Sequence, residues 1–472
     1  TPYTLRLTPS TFYLNFINMQ IINPATEEVI QEIAEDSPEA ILKKFQLVKE
    51  GQPAWSAVPL DQRIACIEKF YAFLDEEKDE LAETLTMEVG KPLQQSYNEL
   101  NGARKRLEYF IKNSAKWLAE EWITEEDATR EKIVYEPLGV IANISAWNYP
   151  YLVGVNVFVP ALIGGNAVLY KPSEYAALTG LHIQRLLYRA GIPESIFQII
   201  IGKGTAGQAL LELPLNGYFF TGSYRTGRYI AEHTASKLVT VQLELGGKDP
   251  LYVMDDVDDV NAVAEAALEG AVYNAGQSCC AVERIYVQEN IYDKFVETFV
   301  ALAKKLVTGN PMDKKTDIGP VSRKEQLKFL AGQVEDARQK GGSIMSGGVE
   351  SKGAGYFFEP TVITNANHGM KLMTEESFGP VIGIQKVKDD REAAELMKDT
   401  PYGLTAAVYS KNYNRAEAVM KQMDTGTVYW NCCDRVSAGL PWSGRKSSGL
   451  GATLSYQGIR AFVQPKAYHL RG

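Results

Sequence analysis

The sequence predicts an α/β protein built from two parallel-sheet domains and a small β arm. Three observations carry this. At 472 residues the chain exceeds what one hydrophobic core can serve. From Gly139 onward short apolar runs alternate with amphipathic ones, the order that builds a parallel sheet with helical crossovers. Just before that point, residues 119–139 (AEEWITEEDATREKIVYEPLG) are strongly acidic and lack any apolar stripe, which suits a solvated face or an extended arm.

Taken in order, residues 1–18 hold one basic residue and no acidic one, with no charged region ahead of a long apolar run, so a secretory signal is not expected. Met19 is the natural-looking start, and residues 1–18 read as an extension without an assigned role. Apolar residues at three- and four-residue spacing predict helices over 37–55 and 61–89, with Ser37 as N-cap ahead of Pro38 and Glu39. Between Pro137 and Tyr170 lie 34 residues without Asp, Glu, Lys, Arg or His. Pro150, Pro160 and four asparagines break this stretch below the ~18 apolar residues that a bilayer span needs. It reads as a buried strand, loop and helix.

VIANISA, NAVLYKP, IFQIIIG and GYFFTGS are predicted strands, and VPALIGG, ALTGLHIQRLLYRAG and GTAGQALLEL the helices between them. After LELGGKDPLYVMDD the alternation resumes and runs to GLTAAVYS, so the two domains meet near residues 244–250. The C-terminal GIRAFVQPKAYHLR alternates as an edge strand does.

Composition narrows the function. A net charge of -9 gives no basic surface for nucleic acid. The cysteines at 66, 279, 280, 432 and 433 form two vicinal pairs and a singleton, with no CxxC and only four histidines in the chain. That is neither a disulfide framework nor a structural zinc site, so no metal is expected and a reducing compartment, the cytoplasm, is.

The chemistry concentrates in NAGQSCC and LELGGK, which supply Cys279 and Glu244. A thiolate can attack a carbonyl carbon, and a carboxylate can then activate water against the acyl group. A free thiol with pKa near 8.5 is only a few per cent thiolate at neutral pH, so its surroundings must activate it. FTGSYRTG follows a predicted strand and opens a helix, the context a phosphate-cradling loop requires.

Seven motifs stand in a fixed order: SAWNYP (145–150), KPSE (171–174), FTGSYRTG (220–227), LELGGK (243–248), NAGQSC (274–279), ESFGP (376–380) and PWSG (441–444). In this order the chain resembles the aldehyde dehydrogenase superfamily over about residues 20–470. The resemblance implies a Rossmann-like cofactor domain (19–118 and 138–246), an α/β catalytic domain (247–448) and an oligomerisation arm (119–137 and 449–472). It makes Cys279 the nucleophile, with Cys280 as the rival and more simply a small residue packed behind it. Asn148 becomes the oxyanion-hole residue and Glu244 the general base, a carboxylate that members passing the acyl group to coenzyme A typically lack.

The cofactor implied is NAD rather than NADP. Gly222 and Ser223 would face the pyrophosphate, Lys171 and Glu174 the adenosine ribose, Glu376 and Phe378 the nicotinamide side, and Trp147 the adenine side. A carboxylate at 174 repels a 2′-phosphate. A homodimer or homotetramer is implied by the same resemblance. So is a small-molecule aldehyde as the substrate.

Which aldehyde is left open. Relatives acting on succinate semialdehyde grip the carboxylate with two arginines, at positions held here by Asn156 and Tyr273. Relatives acting on betaine aldehyde or aminoaldehydes wall the pocket with aromatic rings, and Tyr149, Tyr273 and Trp442 fall at three such positions. These rings can equally form a plain apolar tunnel. A non-catalytic NAD-binding or structural role is the alternative of a different class.

Overall fold

The computed structural model describes residues 18–126 and 129–471. The expectations for residues 1–17 lie outside this range, while Asn18 opens the strand Asn18–Ile22, paired antiparallel with Val29–Ala34. Helices α1 (Pro38–Ser56), α2 (Leu60–Glu76), α3 (Lys78–Val89) and α4 (Leu93–Trp117) follow, and α5 (Pro150–Ile163) comes after the arm hairpin. Ser37 caps α1 as expected, its Oγ accepting from the Ala40 N–H at 3.2 Å. The helix expected over 61–89 is instead two, broken at Glu77, whose carboxylate is held by Arg185 and Arg189 of the facing helix Ala177–Arg189.

Six strands form the first sheet, in the spatial order 449–450, 240–244, 217–221, 140–144, 167–171, 197–199. All run parallel except Gly449–Leu450 at the edge. The chain winds outward from Val140–Ile144 through 167–171 to 197–199, then returns to the other side of the starting strand at 217–221. That reversal opens a crevice beyond the carboxyl ends of Val140–Ile144 and Gly217–Thr221, where open α/β sheets bind ligands. The uncharged stretch from Pro137 to Tyr170 becomes the central strand, α5 and most of the next strand, and α5 is buried along nearly its whole length. No helix among the described residues is long and apolar enough to cross a membrane.

The second sheet has seven strands, in the order 343–346, 361–364, 381–387, 282–288, 249–253, 405–409, 427–430, with only the first antiparallel to its neighbour. A third, antiparallel sheet joins Glu121–Glu126 and Thr129–Pro137 to Val463–Leu470, with Val463 opposite Pro137 and Leu470 opposite Arg130. Gly449–Leu450, in the stretch expected to join this arm, pairs instead with Leu243 and Glu244 of the first sheet. That pairing closes one side of the crevice over Glu244.

Candidate active site

The nucleophile loop is built from three consecutive left-handed residues. Asn274, Ala275 and Gly276 have φ of 55°, 54° and 72°. For the two non-glycine residues this costs roughly 1–2 kcal/mol each, so the loop holds its shape only because side chains pin it. The Asn274 Nδ2 donates to the carbonyls of Asn148 and Gln277, both at 3.2 Å. The Gln277 amide donates to the Asn274 carbonyl at 3.1 Å and accepts from the Ser322 N–H at 2.9 Å. Gly276 must be glycine, since a Cβ there would stand 2.4 Å from the Gly379 carbonyl oxygen. The result is a rigid support for Cys279.

Two cavities meet at that cysteine. One, of about 1030 Å³, runs along the sheet crevice, and the other, of about 720 Å³, opens between α4, α5 and residues 431–438. Cys279, Glu244 and Trp442 line both. Cys279 is half-buried, whereas Cys280 is buried, with its Sγ 3.0 Å from Asp434 Oδ1. Cys280 thus packs inside as expected, but as a thiol donor to a carboxylate rather than as a plain apolar filler.

Asn148 is buried at the start of α5 and faces the nucleophile loop, its Nδ2 donating to the Gln277 carbonyl at 3.2 Å. Beneath it lies a charged support that sequence reasoning missed. The Lys91 ammonium is fully buried, paired with Glu99 of α4, and donates to the Asn148 carbonyl at 2.7 Å. Glu99 in turn accepts from the Tyr151 N–H at 2.8 Å, placing a negative charge on the first turn of α5.

Glu244 ends its strand, buried beside Trp442, and accepts a hydrogen bond from Thr453. Thr453 is itself locked to Trp442 by reciprocal backbone hydrogen bonds of 2.8 and 2.9 Å. Burial pushes the Glu244 carboxyl up to about 7, against the opposing pull of Thr453 and of the Arg106 guanidinium. Only the ionised form can take a proton from water. With Glu244 as the base of the expected aldehyde oxidation, steady-state turnover measured across roughly pH 5.5–9 should rise through an apparent pKa near 7, the ionised fraction growing as the proton leaves. A rate falling over that interval would contradict this reading.

In the crevice, Gly222 lies at the end of Gly217–Thr221, and Ser223 caps the helix Tyr224–Thr234. A Cβ on Gly222 would stand 2.5 Å from the Phe220 ring, which would have to shift to admit it. Lys171 and Glu174 both line this cavity, from the end of the strand Ala167–Lys171 and the turn after it. The Lys171 ammonium is buried, its one hydrogen bond among the described residues going to the Pro172 carbonyl at 3.3 Å, and burial lowers its pKa. A helix N-terminus, a glycine turn and an under-coordinated ammonium in one crevice fit a dinucleotide pyrophosphate and ribose.

At the other end of the crevice, Glu376 is half-buried against Gly247, and a Cβ on Gly246 would stand 2.0 Å from its Oε1. Burial, then the charge of Glu283, pushes Glu376 up to about 8. Phe378 sits at φ 46°, held by its N–H on Glu283 Oε1 at 2.9 Å, and Glu283 is fixed by Lys248 at 2.6 Å. Trp147 was expected on the adenine side. Its ring packs edge-on to Phe378, with centroids 5.5 Å apart, as well as to Tyr175 at 6.3 Å, so it spans the middle of the crevice.

The second cavity holds the expected rings, Tyr149, Tyr273 and Trp442. Tyr149 already carries the Lys91 ammonium 4.0 Å over its ring, and Tyr273 receives a hydrogen bond from Asn98 at 3.1 Å. Positions 156 and 273 hold no arginine, but one reaches this cavity from α4. Arg106 of α4 lines this cavity and places its Nη1 2.9 Å from Asn156 Oδ1 and 2.9 Å from the Leu152 carbonyl. No local sequence signal marks it, because α4 turns several polar residues toward the protein interior.

The model of the aldehyde dehydrogenase family matches residues 16–468. Aminoaldehyde dehydrogenase 1 (peroxisomal) of Pisum sativum is 33% identical, over 94% of this chain and 91% of its own length. Succinate-semialdehyde dehydrogenase [NADP(+)] of Deinococcus radiodurans is also 33% identical, covering 94% of this chain and 93% of its own. The structure of betaine aldehyde dehydrogenase from Staphylococcus aureus in complex with NAD+ superposes with a TM-score of 0.92 at 32% identity, over 96% of this chain and 92% of that one. The chain belongs to the aldehyde dehydrogenase family, a family of oxidoreductases.

Proposed function

We propose that the chain oxidises an aldehyde to the carboxylic acid with NAD, through a cysteine thiohemiacetal and a thioester that water hydrolyses. The observation that carries this is the junction at Cys279, where a nucleophile and a carboxylate base both face a dinucleotide crevice and a separate cavity. An aldehyde entering the smaller cavity meets Cys279, whose sulfur adds to the carbonyl carbon. The Asn148 amide and the Cys279 N–H receive the oxyanion, each donor worth about 3–4 kcal/mol in the transition state. NAD, when bound, supplies the hydride acceptor. Glu244 then takes a proton from the water that attacks the thioester, and the acid leaves with the thiol restored.

Lys171, Glu174, Gly222 and Ser223 would hold the adenosine and pyrophosphate portion of NAD, while Glu376 and Phe378 would hold the nicotinamide portion. Glu174 favours NAD by bonding the ribose diol and repelling a 2′-phosphate, and the Lys171 beside it would otherwise welcome that phosphate. We expect a preference for NAD over NADP of at least about tenfold in kcat/KM. Glu174→Gln should shrink the ratio, chiefly by better use of NADP. A wild-type ratio near one, or a ratio that the substitution leaves unmoved, speaks against this role.

The test of the function itself is NADH formation with a panel of aldehydes. Intact NAD binding without turnover of any aldehyde favours the non-catalytic reading instead. Two further proposals stand beside it. The five cysteines, all free, suit a reducing cytoplasm. The three-stranded arm, which exposes Trp122 and Ile123, suits assembly into a homodimer or homotetramer.

A further inference from the structure

Arg106 is a buried cation that forms no direct ion pair among the described residues, the charges of Glu244 and Glu99 reaching it only at longer range. It is only 9% exposed, and among the described residues no carboxylate lies within 4.0 Å of its guanidinium. Its Nη1 is used by Leu152 and Asn156, while its Nε and Nη2 have no hydrogen-bond partner among the described residues. Burying an unpaired charge is expensive unless something completes it, and burial indeed draws this guanidinium down to about 10. The neighbouring carboxylates are otherwise engaged. Glu99 is paired with Lys91, Asp434 accepts from Ser278 and Cys280, and Glu244 accepts from Thr453. The open side of Arg106 faces the cavity that leads to Cys279.

We infer that Arg106 is the specificity residue of this cavity and receives the anionic end of an aldehyde carrying a carboxylate or similar oxyanion group. The inference rests on the aldehyde oxidation proposed above and names its substrate class. The guanidinium sits on Asn156, so α4 supplies to the cavity a cation that α5 lacks. A planar fork of donors matches a carboxylate in two directions at once. A cationic aldehyde meets the opposite situation. It would have to share the cavity with the Arg106 guanidinium, and the Tyr149 ring that could hold it already carries Lys91.

The experiment compares kcat/KM, with NAD, for succinate semialdehyde, sulfoacetaldehyde, butanal and 4-aminobutanal. We expect the better of the two anionic aldehydes to exceed butanal by at least about tenfold, with 4-aminobutanal poorest. The carboxylate and sulfonate arms then identify which anion fits. Arg106→Gln should collapse the anionic-to-neutral ratio mainly through KM, and Arg106→Lys should restore part of it. Preference for butanal or 4-aminobutanal in the unaltered protein overturns the inference, as does an Arg106→Gln loss equal for all four aldehydes. A readout without turnover separates its failure from failure of the proposed reaction. At equal ionic strength, succinate should slow alkylation of Cys279 by iodoacetamide while butylamine does not, and equal protection by both would sink the inference.

Discussion

Cys279→Ser should abolish dehydrogenase activity, by on the order of a thousandfold or more, while Cys280→Ser keeps most of it. The two thiols are chain neighbours in opposite surroundings. Cys279 is half-buried at the meeting point of both cavities, with the Asn148 amide close by on the Gln277 carbonyl. Cys280 is buried, donates to Asp434 at 3.0 Å, and is held well above the ordinary thiol range by the Cys279 sulfur, then by burial and Asp434. A thiol kept protonated and hydrogen-bonded is a poor nucleophile. Serine at 280 can still donate to Asp434, so the loop keeps its shape. Iodoacetamide labelling with peptide mapping checks the assignment independently. Alkylation falling first on Cys280, in step with inactivation, would reverse it.

What the sequence could disclose about this site follows from the range of the interactions. Cys279, Glu244 and Asn148 each sit inside a short motif whose residues build the local turn, so quoting the motif also located the turn. NAGQSC is legible because Asn274, Gly276 and Gln277 themselves pin the loop that carries Cys279. The parallel sheet was legible for a similar reason, since strand and crossover alternate within a few tens of residues. The helix break at Glu77 was not, because it accompanies ion pairs with Arg185 and Arg189 more than a hundred residues away.

The same limit hid the supports. Lys91 reaches Asn148, Glu283 holds Phe378, Thr453 bonds Glu244 and Arg106 rests on Asn156, each across a long stretch of chain. None of these residues belongs to a motif of its own. Arg106 is hidden for this reason too, because a guanidinium that reaches the cavity from α4 leaves no mark at positions 156 and 273. The ring direction of Trp147 is likewise set from outside its motif, by Tyr175 and Phe378.

Glu244→Gln should trap the acyl-enzyme. The amide is close to isosteric with the carboxyl group, so Trp442 and Thr453 keep a partner of the same size, while the proton acceptor is lost. Attack by Cys279 and the oxidation step do not need that acceptor; hydrolysis of the thioester does. Rapid mixing with aldehyde and NAD should therefore show a burst of about one NADH per active site, then turnover slowed by roughly a hundredfold or more. The rise of the wild-type rate near pH 7 should vanish in the variant, because the group titrating there has been removed. Both signatures separate a lost base from a misfolded pocket, which would remove the burst as well. Undiminished steady-state turnover would hand the role to another group, and of the other carboxylates lining the cavity, Glu99, Glu269 and Asp434, the one bonded to the cysteine loop is Asp434. That carboxyl is raised by burial and already accepts from Cys280 and Ser278, so it is bound to the loop rather than aimed at the thioester. Glu244 alone among these carboxylates faces both the crevice and the substrate cavity.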